Sequence, residues 1–135
     1  MDNYSLVGFC KSKLGVSYVM GTNGKIMTNA MLDDLIKRNP LKWFTEKRNQ
    51  AVRLWIGRKT TDCHGLIEWY IRDVHKKNYD TSADAAYQSA LEKGSIKTIP
   101  EIVGLCVRYP GHVGVYAGSG KVIEARGFDY GNKGE

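Results

Sequence analysis

The chain has 135 residues, 42% of them apolar and 25% charged, enough to close one hydrophobic core without disulfide staples, so a single domain over 1–135 is expected. Three cysteines, Cys10, Cys63 and Cys106, are too few, and odd in number, for a secreted disulfide framework, which points to free thiols. A net charge of +6 favours polyanions, yet the basic residues fall in scattered pairs (Lys37-Arg38, Lys47-Arg48, Arg58-Lys59, Lys76-Lys77) with no ribbon of aromatic and basic residues, so nucleic acid is not an expected partner.

The N-terminus, Met1-Asp2-Asn3-Tyr4-Ser5, places an acid where a secretory signal carries basic residues, and no stretch is long and apolar enough to span a membrane. The expected product is made in the cytoplasm without a signal peptide and does not insert into membrane. Over residues 3–14, Leu6, Val7, Cys10 and Leu14 recur at helical spacing, which makes Cys10 a core residue. Residues 15–24 hold three glycines and break the pattern, after which Thr28 caps a helix with the stripe Met31, Leu32, Leu35 and Ile36, ended by Pro40. A third helix is predicted over 42–56 and a fourth from about Cys63 to Val74. Thr81-Ser82-Ala83-Asp84 resembles a capping box, opening a helix that Gly94 stops.

After Pro100 the texture changes to β-rich runs at 103–109, 112–117 and 121–126, separated by Pro110-Gly111 and Gly118-Ser119-Gly120. Helices first and strands last predict an α+β fold, with N-terminal helices packed on a small antiparallel sheet.

Within this outline, Thr60-Thr61-Asp62-Cys63-His64-Gly65 stands where a polar loop gives way to an apolar-periodic helix. A cysteine at a helix N-terminus meets unpaired N–H groups and the positive end of the helix dipole. Both favour a thiolate, lower the thiol pKa and offer donors to a developing oxyanion. The alternative is a buried small hydrophobe. Of the three histidines, His64 points about 100° away from Cys63 on a helix, and His75 reads as a surface residue at a helix C-terminus. His112 opens a strand directly after the Pro110-Gly111 turn, where it is either a base or a satisfied strand-end residue.

An orienting partner for His112 depends on register. With Gly118-Ser119-Gly120 as a three-residue loop, Ala117 pairs with Lys121, Val115 with Ile123, Gly114 with Glu124 and His112 with Arg126. His112 and Glu124 then share a face, and Gly114, lacking a side chain, leaves room for the carboxylate to reach the imidazole. A two-residue loop would put them on opposite faces. The competing reading of Glu124 is a surface carboxylate paired with Lys121 or Arg126.

At these residues the chain resembles the NlpC-type cell-wall peptidases, a branch of the papain-like cysteine hydrolases, and in particular their phage-endolysin-like members. Gly15-Val16-Ser17-Tyr18-Val19-Met20-Gly21 is similar to the family's Gly-x-x-Tyr-x-Trp-Gly entry motif, and Asp62-Cys63-His64-Gly65-Leu66-Ile67 to its Asp-Cys-Ser-Gly-Leu motif. The run from His112 through Ala125 is similar to its histidine hairpin. The resemblance implies Cys63 as nucleophile, His112 as general base and then acid, and Glu124 as the third, orienting group. It implies Tyr18 as a hydroxyl near the thiol that helps hold the oxyanion, and Asp62 as a supporting, structural acid. The implied activity is a peptidoglycan hydrolase of phage or prophage type, an endopeptidase on the stem peptide of bacterial cell wall working through a thioester as a monomer, without metal or organic cofactor, acting after release or export. Anionic wall polymers are a further implied contact.

Met20 for Trp, His64 for Ser, Gly104-Leu105 for Gly-Asp and a longer insertion over 24–56 depart from the family pattern. Endolysin-like relatives also continue through another strand, so the resemblance implies a domain that is one strand short or atypical at its end. Alternatives on the same fold are an N-acetylmuramoyl-L-alanine amidase, a non-hydrolytic wall-binding domain and an acyltransferase. A zinc module of Cys63, His64, Cys10 and Cys106 lacks paired ligand spacing.

Overall fold

The computed structural model describes residues 3–127. The fold is α+β, and the helices form where the apolar spacing places them. Helix α1 (Asn3–Ser12) buries Leu6, Val7 and Cys10. Two short strands follow, β1 (Ser17–Tyr18) and β2 (Asn23–Ile26). Helix α2 (Asn29–Arg38) begins at Thr28, whose side chain accepts from the Met31 N–H, and ends where Asn39 turns left-handed ahead of Pro40.

The predicted helix over 42–56 is shorter, for a local reason. Pro40–Lys42 forms a 3-10 turn with Leu41 at φ +53, and Thr45 caps α3 (Glu46–Arg53) by accepting from the Arg48 N–H. Strand β3 (Lys59–Thr61) then leads into α4 (Gly65–His75). Helix α5 (Ala83–Ser89) is capped by Ser82. It stops at Ala90, before Gly94, because Ala90 adopts an extended conformation. Strands β4 (Cys106–Tyr109), β5 (His112–Gly118) and β6 (Lys121–Ile123) complete the described chain.

The strands make two three-stranded sheets rather than the one expected. Strands β4, β5 and β6 form the predicted antiparallel meander. The other sheet has the order β1-β3-β2, with β1 parallel and β2 antiparallel to β3. Its strands are two to four residues long and largely polar, so they carry no alternation of the kind that marks a strand in sequence.

Helix α4 is buried over seven consecutive residues, Gly65 to Ile71, as expected of a central helix covered on all sides. Its Leu66, Trp69 and Tyr70 pack with Leu6, Val7 and Cys10 of α1 and with Val113 and Val115 of β5. A second cluster joins Tyr18, Leu32, Leu35, Trp43, Phe44 and Trp55. Cys63 touches both clusters, because the β3–α4 connection runs between them. Among the described residues, no helix is long and apolar enough to cross a membrane.

Candidate active site

Cys63 sits in the turn between β3 and α4, two residues ahead of the first helical residue. Asp62 builds that turn. One carboxylate oxygen accepts from the Gly65 N–H at 2.6 Å and the other from the Gly21 N–H at 2.8 Å. The turn carrying Cys63 is thereby tied to the Met20-Gly21 loop on the neighbouring strand connection. Both carboxylate oxygens are thus taken up by backbone donors, so Asp62 supports the turn. Burial pushes the Asp62 carboxyl up against the pull of those two N–H groups.

The thiol does not behave as the helix terminus alone predicts. Burial first, and the Asp62 carboxylate second, push the Cys63 thiol above its ordinary value of 9.0, and the N–H groups of Val113, His64 and Cys63 itself offset only part of this. The expected lowering is therefore overturned, and burial favours the neutral thiol. Its Sγ lies 3.9 Å from the Gly111 carbonyl oxygen, against the turn from which His112 emerges.

His112 opens β5, paired across β4 with Tyr109, whose ring lies 4.9 Å from the imidazole. Its Nε2 is 2.6 Å from Glu124 Oε2. The other Glu124 oxygen accepts from Arg126 Nε at 3.1 Å, so the carboxylate contacts the imidazole and the arginine at once. Both side chains are largely shielded, His112 at 10% and Glu124 at 24% exposure, which keeps water from competing for the bond. Gly114 supplies the room: a Cβ there would stand 3.2 Å from Glu124 Cβ and 2.5 Å from a Val122 methyl.

The register that brings them together differs from expectation in an instructive way. Val115 faces Ile123, as predicted, but Gly118 faces Lys121, so the loop has two residues, Ser119 and Gly120. A shift between Tyr116 and Gly118 leaves Ala117 as an extra residue, and this bulge restores the shared face that a two-residue loop would otherwise destroy.

No family model, curated protein or solved structure matches the chain.

The supporting residues follow from the same geometry. Tyr18 of β1 lies beside Thr61 of β3, and its buried ring packs 5.9 Å from Trp43 in the cluster that Cys63 touches. Tyr18 and Glu124 also share the wall of a cavity of about 170 Å³. His64 turns away from the thiol into a buried pair with Glu68, Nδ1 to Oε1 at 3.2 Å, where Asn23 and the Thr81 N–H also donate to the carboxylate. Burial acts to raise Glu68, but these donors prevail and hold it below its ordinary value. His75 is half-buried and bonded to the Tyr70 hydroxyl at 3.1 Å, rather than lying free on the surface. Cys10 is core, as expected, with its thiol pushed up to about 12 by burial and by Cys106. Among the described residues, no group of three or more His, Cys, Asp or Glu side chains is arranged to hold a metal ion.

One contributor carries no sequence signal. Asp84 of α5 accepts from the Gly111 N–H at 3.0 Å and from Arg108 at 2.9 Å, holding the turn between β4 and β5 from outside. In sequence it is only a first-turn helix acid.

Proposed function

We propose that the chain is a cysteine hydrolase of the NlpC, papain-like kind that cuts peptide-type bonds in bacterial cell wall, as an endopeptidase on the peptidoglycan stem peptide. The observation that carries this reading is the 2.6 Å bond between His112 Nε2 and Glu124, on a strand whose preceding turn touches the Cys63 sulfur. With Nε2 engaged by a carboxylate, Nδ1 is the ring nitrogen assigned to the thiol proton, and Glu124 stabilises the imidazolium that results.

The thiolate then attacks the amide carbonyl carbon, and its electrons pass to the carbonyl oxygen. The Cys63 N–H and the Tyr18 hydroxyl are assigned to receive that developing charge. Collapse breaks the C–N bond as His112 returns its proton to the leaving amine, giving a thioester on Cys63. Water, deprotonated by His112, cleaves the thioester and restores the thiol. These steps need no metal or organic cofactor. The net charge of +6 suits a substrate embedded in anionic wall polymers.

Purified walls are expected to lose turbidity with the native chain and to keep it with Cys63→Ala showing an unchanged circular dichroism spectrum. Equal lysis by that variant contradicts the assignment. Mass spectrometry of the released fragments separates stem-peptide cleavage from cleavage at the glycan–peptide junction.

A further inference from the structure

The structure assigns to Glu101, an exposed residue outside the candidate site, the role of a positioning residue that holds the bulged register in which Glu124 meets His112. Were the β5–β6 pairing to continue one for one from Gly118 opposite Lys121, Tyr116 would face Ile123 and Val115 would face Glu124. Because strand faces alternate, that carries the carboxylate to the buried side with Val113 and Val115, away from His112. The extra residue at Ala117 prevents this.

Glu101 grips both flanks of that extra residue. Its Oε2 accepts from the Tyr116 hydroxyl at 2.6 Å on one side, and its Oε1 accepts from the Ser119 N–H at 2.6 Å on the other. The Tyr116 oxygen in turn accepts from the Gly120 N–H at 3.1 Å, closing a ring of contacts around the bulge. Ser119 is held at φ +53, a left-handed conformation unfavourable for a residue with a side chain. Its N–H bond to one carboxylate oxygen, with the Tyr116 hydroxyl held by the other, fixes it. The clamp serves the hydrolase reading proposed above and rests on it for its catalytic consequence, whereas the register itself can be read without activity.

Cross-strand proton contacts in the nuclear magnetic resonance spectrum distinguish Val115 opposite Ile123 from Val115 opposite Glu124, and the His112 Nε2–H resonance reports its bond to Glu124. The native chain is expected to show the first register alone, with a low-field imidazole proton. Glu101→Ala is expected to lose that resonance and gain contacts of the second register. Glu101→Gln, whose amide oxygen still accepts from Ser119, retains the native pattern. If Glu101→Ala does not fold, Tyr116→Phe, which removes one arm of the clamp, is expected to weaken the same signals. As a control, Thr28→Ala removes the cap of α2 and lowers the melting temperature without changing the hairpin. The clamp is overturned if the Glu101→Ala variant, or Tyr116→Phe in its place, keeps the native register and resonance, or if Thr28→Ala loses them too. Register loss in Glu101→Ala beside a native chain that lyses no wall would instead sink the hydrolase reading and leave the clamp standing.

Discussion

Replacing His112 by Ala is expected to slow wall-peptide hydrolysis by about a hundred- to ten-thousandfold in kcat/KM, the range that a positioned general acid–base supplies. That is roughly 3–5 kcal/mol of transition-state stabilisation. The loss is large because the Cys63 thiol is pushed above its ordinary value by burial and by Asp62. Without a base, little thiolate forms at neutral pH. The fold should survive, since Glu124 keeps Arg126 as a partner at 3.1 Å and is not left as a stranded charge. Glu124→Gln retains the hydrogen bond but not the charge, so its rate should fall between the native chain and His112→Ala. Combining His112→Ala with Cys63→Ala should cost no more than the worse single change, because the two act as one unit. Steady-state kinetics on a soluble stem peptide measures all four.

Gly65→Ala is expected to be strongly damaging, lowering unfolding free energy by about 3 kcal/mol, the upper part of the usual overpacking range. A Cβ at Gly65 would fall on the Thr22 carbonyl oxygen and stand 2.8 Å from Asp62 Oδ1. Neither neighbour can yield cheaply. Thr22 O accepts from the Asp62 N–H at 2.9 Å, and Asp62 holds Gly65 N–H at 2.6 Å, so any shift opens the turn that carries Cys63. Urea unfolding gives the midpoint, and the hydrolysis rate of the folded fraction should fall with it. Gly57→Ala is the comparison: its Cβ meets nothing within 4 Å, leaving only the strain of its positive φ.

Much of this arrangement is legible in sequence, and what is not has physical reasons. Cys63 stands out because polar residues precede it and an apolar helix follows. His112 stands out because Pro110-Gly111 marks a turn, and Gly114 next to it signals close approach. The Val115–Ile123 pairing follows from strand alternation, but the loop around Ser119 does not. Three residues with a direct return and two residues with a bulge give the same register beyond Ala117, so strand alternation does not choose between them, and the contact at Ser119 comes from Glu101, 18 residues away in sequence. The sheet of β1, β3 and β2 escapes periodicity because its strands are shorter than one alternation can establish. The thiol's upward shift depends on burial between two clusters, a property of the assembled chain that a helix-end rule cannot supply.

The central claim is that His112 activates Cys63, and the pH dependence of Cys63 alkylation by iodoacetamide tests it without any substrate. Cys106 is exposed and is replaced by Ser in every sample, while Cys10 is buried with its thiol near 12 and stays silent. In the native background Cys63 is expected to react at neutral pH. In His112→Ala, burial and Asp62 disfavour the charged form, so reaction should rise only as pH passes above the ordinary thiol value of 9.0. Superimposable profiles for the two proteins would contradict the account.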